Sequence, residues 1–190
     1  MTIDELLSCF KRRVLNTKTN NMIIIVNDIE ELVDNIPNIT SLDNYNGINN
    51  ALNIKIDLSK INLNSILTYS LNYLKDKNLI DDSLEYRLPF NNKFDINKFR
   101  IILQNNNIMV QLFFYNIERL SIEEQKLFNE LYYYNSYDNN CFNIITLAKK
   151  DFKTYSLNQD RMLDDRENYQ KYRIIKSKML IKGVGPYERK

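Results

Sequence analysis

The sequence predicts an α/β fold, with a mostly parallel central sheet flanked by helices. Two observations carry that expectation. The runs Met22–Val26 and Ile108–Tyr115 are continuous and apolar, as strands buried on both faces are. Between the predicted strands lie segments with helical spacing and capping residues, and strands separated by helices pair in parallel through right-handed crossovers.

The elements follow in order. Thr2 and Glu5 have capping-box spacing, and Ile3, Leu6, Leu7, Phe10 and Val14 recur on one helical face. Lys11, Arg12 and Arg13 fall near that helix's end, where positive charge suits the dipole. After the strand at 22–26, Asn27 or Asp28 caps a short helix with Ile29, Leu32, Val33 and Ile36 on its apolar face, and Pro37 ends it. Residues 38–50 read as loop. Leu52, Ile54, Ile56 and Leu58 alternate with polar residues, which predicts a half-exposed strand with Asp57 facing solvent. Ser59 or Asn62 opens a helix to about Lys77, and residues 81–92 are turn-like. Asp95 caps a short helix carrying Ile96, Phe99, Ile102 and Leu103. Ser121 and Glu124 form a second capping box before Leu127, Phe128 and Leu131, and Phe142–Leu147 is a further strand. Residues 172–181 fit a last strand or a helix. The 190 residues read as a single domain, with 151–190 as an irregular or basic extension.

Composition narrows the class of function. Hydrophobic residues at 44% suffice for one core, and no apolar run approaches the length of a membrane span. The N-terminus lacks the basic-then-apolar order of a signal peptide. Cys9 and Cys141 give no disulfide framework and no metal spacing, so a cytoplasmic or other reducing compartment is expected. The chain has 29 Asn and 24 Ile but only two Ala and three Gly, the bias of an AT-rich genome. On that reading Asn105–Asn107 is drift at solvated positions. The net charge of +2 gives no global basic field. Local basic surface is confined to Lys11, Arg12 and Arg13 and to a C-terminal set: Lys171, Arg173, Lys176, Lys178 and Lys182. The tail reads as a solvated terminus, or alternatively as a surface for phosphate or an acidic partner. Tyr132, Tyr133 and Tyr134 follow codon bias, or place a ring on a partner surface.

Several chemistries are excluded. Without histidine there is no Ser-His-Asp or Cys-His catalysis and no His-ligated metal. No phosphate-cradling glycine loop is present, because the three glycines are Gly47, Gly183 and Gly185. Carboxylate-only Mg²⁺ chemistry survives: Asp57 ends one strand, Asp151-Phe152-Lys153 follows another, and Glu124-Gln125-Lys126 has the same acid-x-Lys form. No residue is assigned as catalytic, metal-binding or cofactor-binding.

The stretch Met109–Phe128, and later Phe142–Lys150, resembles the Walker B strand, following helix and sensor-1 strand of AAA+ and related P-loop ATPases. The resemblance implies a P-loop-like order of elements, with Met22–Val26 before the place of the phosphate loop. The chemical positions depart from it. Tyr115 and Asn116 stand where the acidic pair would be, Glu118 comes two residues late, Thr146 stands at the sensor position, and Asn27-Asp28-Ile29-Glu30 would repel phosphate. A second pattern is similar to the small B component of BREX phage-defence systems. It comprises Ile56-Asp57-Leu58 before a long helix and the closing run Asn168–Ile174. That implies a scaffold in a complex acting on DNA.

The expected function is a non-catalytic, protein-binding subunit of a nucleic-acid-processing or phage-defence assembly. Other protein subunits are its partners, and no cofactor is implied. The alternatives are a Mg²⁺-dependent nuclease and a direct nucleic-acid binder acting through the basic C-terminal segment.

Overall fold

The computed structural model describes residues 21–26, 29–45, 48–81, 87–135, 141–149 and 173–176. Among these residues six strands and four helices follow in the order β1 (Asn21–Val26), α1 (Ile29–Asn35), β2 (Ile39–Tyr45), β3 (Ile48–Asp57), α2 (Ile66–Asp76), α3 (Lys93–Asn105), β4 (Met109–Tyr115), α4 (Ile122–Asn135), β5 (Phe142–Lys149) and β6 (Arg173–Lys176). They form one sheet in the order β2-β3-β4-β5-β1-β6. Every neighbouring pair is parallel except β2–β3. The expected α/β class and the mostly parallel sheet are both present. β6 pairs with β1, so residues 173–176 belong to the sheet and the strand reading of that segment holds.

One face of the sheet carries the main core. Ile54 and Ile56 of β3, Val110, Leu112 and Phe114 of β4, and Phe142 and Ile144 of β5 lie at alternating positions and pack in one cluster. The buried faces of three helices complete it: Leu67, Leu71 and Leu74 of α2, Ile96, Phe99 and Leu103 of α3, and Phe128 and Leu131 of α4. Two edge-to-face ring pairs pin helices to strands. Phe99 meets Phe142 at 5.4 Å and Phe114 meets Phe128 at 5.1 Å between centroids. Such a pair contributes about 0.5–1.5 kcal/mol beyond its area burial. Helix α1 gives none of its buried residues to this cluster yet contacts β5, which puts it on the opposite face.

The helix ends follow their sequence. α4 has the expected capping box, with Ser121 N–H donating to Glu124 at 2.8 Å and Glu124 N–H to Ser121 Oγ at 3.2 Å. Asn62 accepts from Asn64 N–H and starts the single 3₁₀ turn that leads into α2. α3 begins earlier than expected. Asn92, not Asp95, is its cap, and Asp95 reaches back to accept from the backbone N–H groups of Asn91 and Asn92. An acid three residues past a cap serves the box and leaves the cap itself to Asn92.

Two further expectations are corrected. Of residues 38–50, 39–45 and 48–50 are not loop, because β2 and the start of β3 form an antiparallel pair in which Tyr45 faces Ile48. β2 is the polar outer strand of the sheet, and an edge strand does not need the apolar pattern that marks a central one. β3 is not half-exposed either. Flanked by β2 and β4, it buries Asn53 and Asp57 with its apolar residues.

The asparagine bias also acquires a structural role. Asn78, Asn107 and Asn116 have φ of 56°, 54° and 59°, the left-handed region that Asn enters more readily than other non-glycine residues. Asn78 and Asn107 end α2 and α3. There Leu79 N–H donates to Leu74 O at 3.0 Å and Ile108 N–H to Leu103 O at 2.9 Å. This is the six-to-one closure that normally uses glycine. At these positions asparagine is a helix stop rather than drift.

Candidate functional site

In an open parallel sheet, ligands sit beyond the carboxyl ends of the strands, where successive connections diverge. Here that point lies between β1 and β5. The chain leaves β1 toward β2 and β3 on one side, and leaves β5 toward β6 on the other. The residues that follow those two strands, 27–28 and 150–172, lie outside the described residues. The strand ends described together with the segments that follow them are those of β3 and β4.

Asp57 ends β3 and is buried, 7% exposed. Its carboxylate is engaged on both oxygens. Oδ1 accepts from Asn116 Nδ2 at 2.7 Å, Ser59 Oγ at 2.7 Å and Ser59 N–H at 3.0 Å. Oδ2 lies 3.5 Å from Lys60 Nζ. Burial pushes its pKa up, but the bonds from Asn116, Ser59 and Lys60 outweigh it and hold the carboxyl below its ordinary value of 3.8. Asp57 therefore does not face solvent, as the strand alternation implied. It anchors the 57–61 turn and ties β3 to β4.

Asn116 stands in one of the two acidic places of the resemblance, and its geometry explains what it does there. The left-handed backbone turns the chain out of β4 into a 3₁₀ turn, Ile117–Arg119, and the side-chain amide points back at Asp57. An amide donates where an acid would repel, so the pair is stable without a cation. Tyr115 beside it is half-buried. Burial, then the Asp57 carboxylate, Tyr69 and Asp34, push its phenol above its ordinary value. Glu118 lies exposed on the 3₁₀ turn, and Thr146 is buried on β5.

Among the described residues, the other candidate acid does not assemble with Asp57. Glu124 serves the cap of α4 and Lys126 is exposed on the same helix. Asp151 and Lys153 lie outside the described residues. Among the described residues no three acidic or cysteine side chains come together as a metal-binding group. The sequence did not link Asp57 to Asn116, which are 59 positions apart. The signal was the pairing of two strand ends, each closed by a polar residue.

Lys11, Arg12, Arg13, Lys171, Lys178 and Lys182 lie outside the described residues. Arg173 and Lys176 open and close β6 at the sheet's edge. Tyr132, Tyr133 and Tyr134 are in the last turns of α4, and their side chains lie outside what is described. Cys141 is buried, and burial pushes its thiol up to about 11. Among the described residues no helix is long and apolar enough to cross a membrane.

No family model matches the sequence, and no curated protein matches it. Among solved structures, a chain of Drosophila ORC bound to DNA is similar. The TM-score is 0.52 at 8% identity, and the match covers 93% of this chain and 93% of that one. A chain from Drosophila ORC bound to AT-rich DNA and Cdc6 gives 0.47 at 8% identity, over 90% of this chain and 54% of that one, which supports no argument. The likeness to the small BREX component finds no support. What is shared is a fold, on a chain whose β3–β4 edge is closed by its own hydrogen bonds.

Proposed function

We propose that this protein is a non-catalytic subunit that works by binding other proteins in a nucleic-acid-associated assembly. The observation that carries the reading is the Asp57–Asn116 bond. In a hydrolase of AAA+-like arrangement the end of the β4 strand presents an acid to Mg²⁺ and water. Here the same strand end presents an amide, and the described carboxylate beside it, Asp57, is engaged by Asn116, Ser59 and Lys60. A cation at Asp57 would have to displace those donors. The fold likeness to a chain of ORC, which is bound to DNA in that structure, supports the assembly half of the proposal.

The test has two arms. Purified protein is expected to show no Mg-ATP turnover and no Mg-ATP-dependent rise in Tm. Affinity purification from its own cells is expected to return a stable partner at fixed stoichiometry. Turnover of ATP that survives repurification, or a strictly solitary protein in the second arm, would refute the proposal. The nuclease alternative loses its Asp57 anchor. The direct nucleic-acid binder remains a question for the basic segments and is tested by charge substitution below.

A further inference from the structure

On the face of the sheet opposite the main core, three amide side chains stand in one register row. Asn53 of β3 pairs with Gln111 of β4, and Gln111 pairs with Asn143 of β5. Thr40 of β2 joins the row at the edge. Asn53 Nδ2 donates to Thr40 Oγ1 at 2.9 Å and to Pro37 O at 2.9 Å, and Thr40 Oγ1 lies 3.5 Å from Gln111 Oε1. The Asn53 end is thus satisfied within the protein. The other end is not: among the described residues neither Gln111 Nε2 nor Asn143 Nδ2 has a hydrogen-bond partner. A buried amide donor without an acceptor is strongly disfavoured.

The two donors belong to register neighbours, and adjacent strands lie about 4.8 Å apart. One oxygen between them accepts from both at the usual N–H···O distance of about 2.9 Å. Its chemical class follows from the surroundings. Gln111 is 0% exposed and Asn143 6%, so nothing larger than a solvent molecule fits without opening the sheet face. Two N–H donors repel a cation. An anion would place an uncompensated charge in a row of neutral amides. A water accepts both bonds with its lone pairs and keeps two O–H groups for neighbouring oxygens, the usual pattern of an internal water. We infer that Gln111 and Asn143 together bind one buried water, which completes a polar row running from β2 to β5.

The test is NMR of the full chain with labelled side-chain amides. Wild-type protein is expected to show cross-peaks from water to Gln111 Nε2–H and to Asn143 Nδ2–H, with the sign that marks a long-lived bound molecule. Gln111→Met keeps the length of the side chain and removes its donors. If the water is shared, the cross-peak at Asn143 falls several-fold in that variant. An unchanged Asn143 cross-peak, or a direct contact between the two wild-type amides with no water signal at either, overturns the inference. Should Gln111→Met fail to fold, Asn143→Leu, which also removes the donors at similar size, gives the same reading at Gln111.

Discussion

Replacing Asn116 tests the closed edge directly, because three substitutions separate the forces acting there. Asn116→Gly keeps the left-handed backbone free of strain but removes the Nδ2 bond to Asp57. A hydrogen bond to a charged acceptor contributes about 1.5–3 kcal/mol, and the added freedom of glycine in the unfolded chain costs roughly 0.5–1 kcal/mol more. The glycine variant is expected to lose roughly 2–4 kcal/mol by urea unfolding at pH 7. Asn116→Ala loses the same bond and must also hold φ near 59° with a β-carbon, which costs about 1–2 kcal/mol. Asn116→Asp keeps the shape and replaces attraction by repulsion. Two unit charges about 4 Å apart repel by about 4 kcal/mol at an effective dielectric constant of 20.

The pH dependence of these variants differs in sign. In the wild type the Asp57 carboxyl is held below 3.8, so its contribution is present above that pH and is lost as pH falls through the folded value. In Asn116→Asp one carboxyl of the pair is raised, so that variant is most stable at low pH and weakens as pH rises toward neutrality. The assay is the urea midpoint of wild type, Asn116→Gly and Asn116→Asp at pH 4.5 and 7. If Asn116→Asp is no less stable than Asn116→Gly at pH 7, and its deficit does not shrink at pH 4.5, the Asp57–Asn116 contact does not form and the closed-edge reasoning fails.

Other outcomes are expected on the same grounds. Phe114→Ala and Phe128→Ala should each cost about 3–5 kcal/mol, and a double-mutant cycle should return a coupling of about 0.5–1.5 kcal/mol for their edge-to-face contact; additive losses would contradict the contact. Asn107→Gly should change stability by less than about 1 kcal/mol, while Asn107→Ala should lose about 1–2 kcal/mol at the left-handed helix stop, measured by thermal unfolding. Cys141, buried and with its thiol near 11, should react with a thiol reagent at pH 8 far more slowly in the native protein than in urea. For the basic C-terminal surface, Lys171, Lys178 and Lys182 changed together to Gln should abolish any salt-sensitive DNA shift if they carry it. Truncation is the wrong test, because residues 173–176 form a strand of the sheet.

Much of the fold was legible because its signals are local. The strands at 22–26, 108–115 and 142–147 announce themselves as apolar runs, and Ser121 with Glu124 marks the start of α4 from four residues alone. The hairpin β2–β3 was missed although its signal was present. Asn46-Gly47 is a strong two-residue hairpin signal, and here it joins Tyr45 to its partner Ile48. The polar residues Ser41, Asp43 and Asn44 hid the strand, since an edge position demands little of them. Strand order was not legible at all. Hydrophobic periodicity says that β1 is buried, but not that it lies between β5 and β6. The site was half legible: the resemblance put Tyr115 and Asn116 in the places of acids, and only the register brings Asn116 to Asp57.

That register changes what the missing acids mean. An absent motif by itself is weak, because a metal site can be rebuilt from carboxylates elsewhere in a chain with 24 of them. At the β3–β4 edge, however, a specific competing arrangement fills the place. Asp57 is the carboxylate that a rebuilt site would recruit, and it is committed to three donors on one oxygen and faces Lys60 with the other. Freeing it for a cation forfeits bonds that hold the ends of β3 and β4 together, so metal binding there would oppose folding rather than assist it. A strand edge whose polar groups serve the fold leaves recognition to the surfaces around it. For that reason the proposed role is that of a binding subunit, and the basic and tyrosine-bearing segments rather than the carboxyl edge are where partner-disrupting substitutions should be sought.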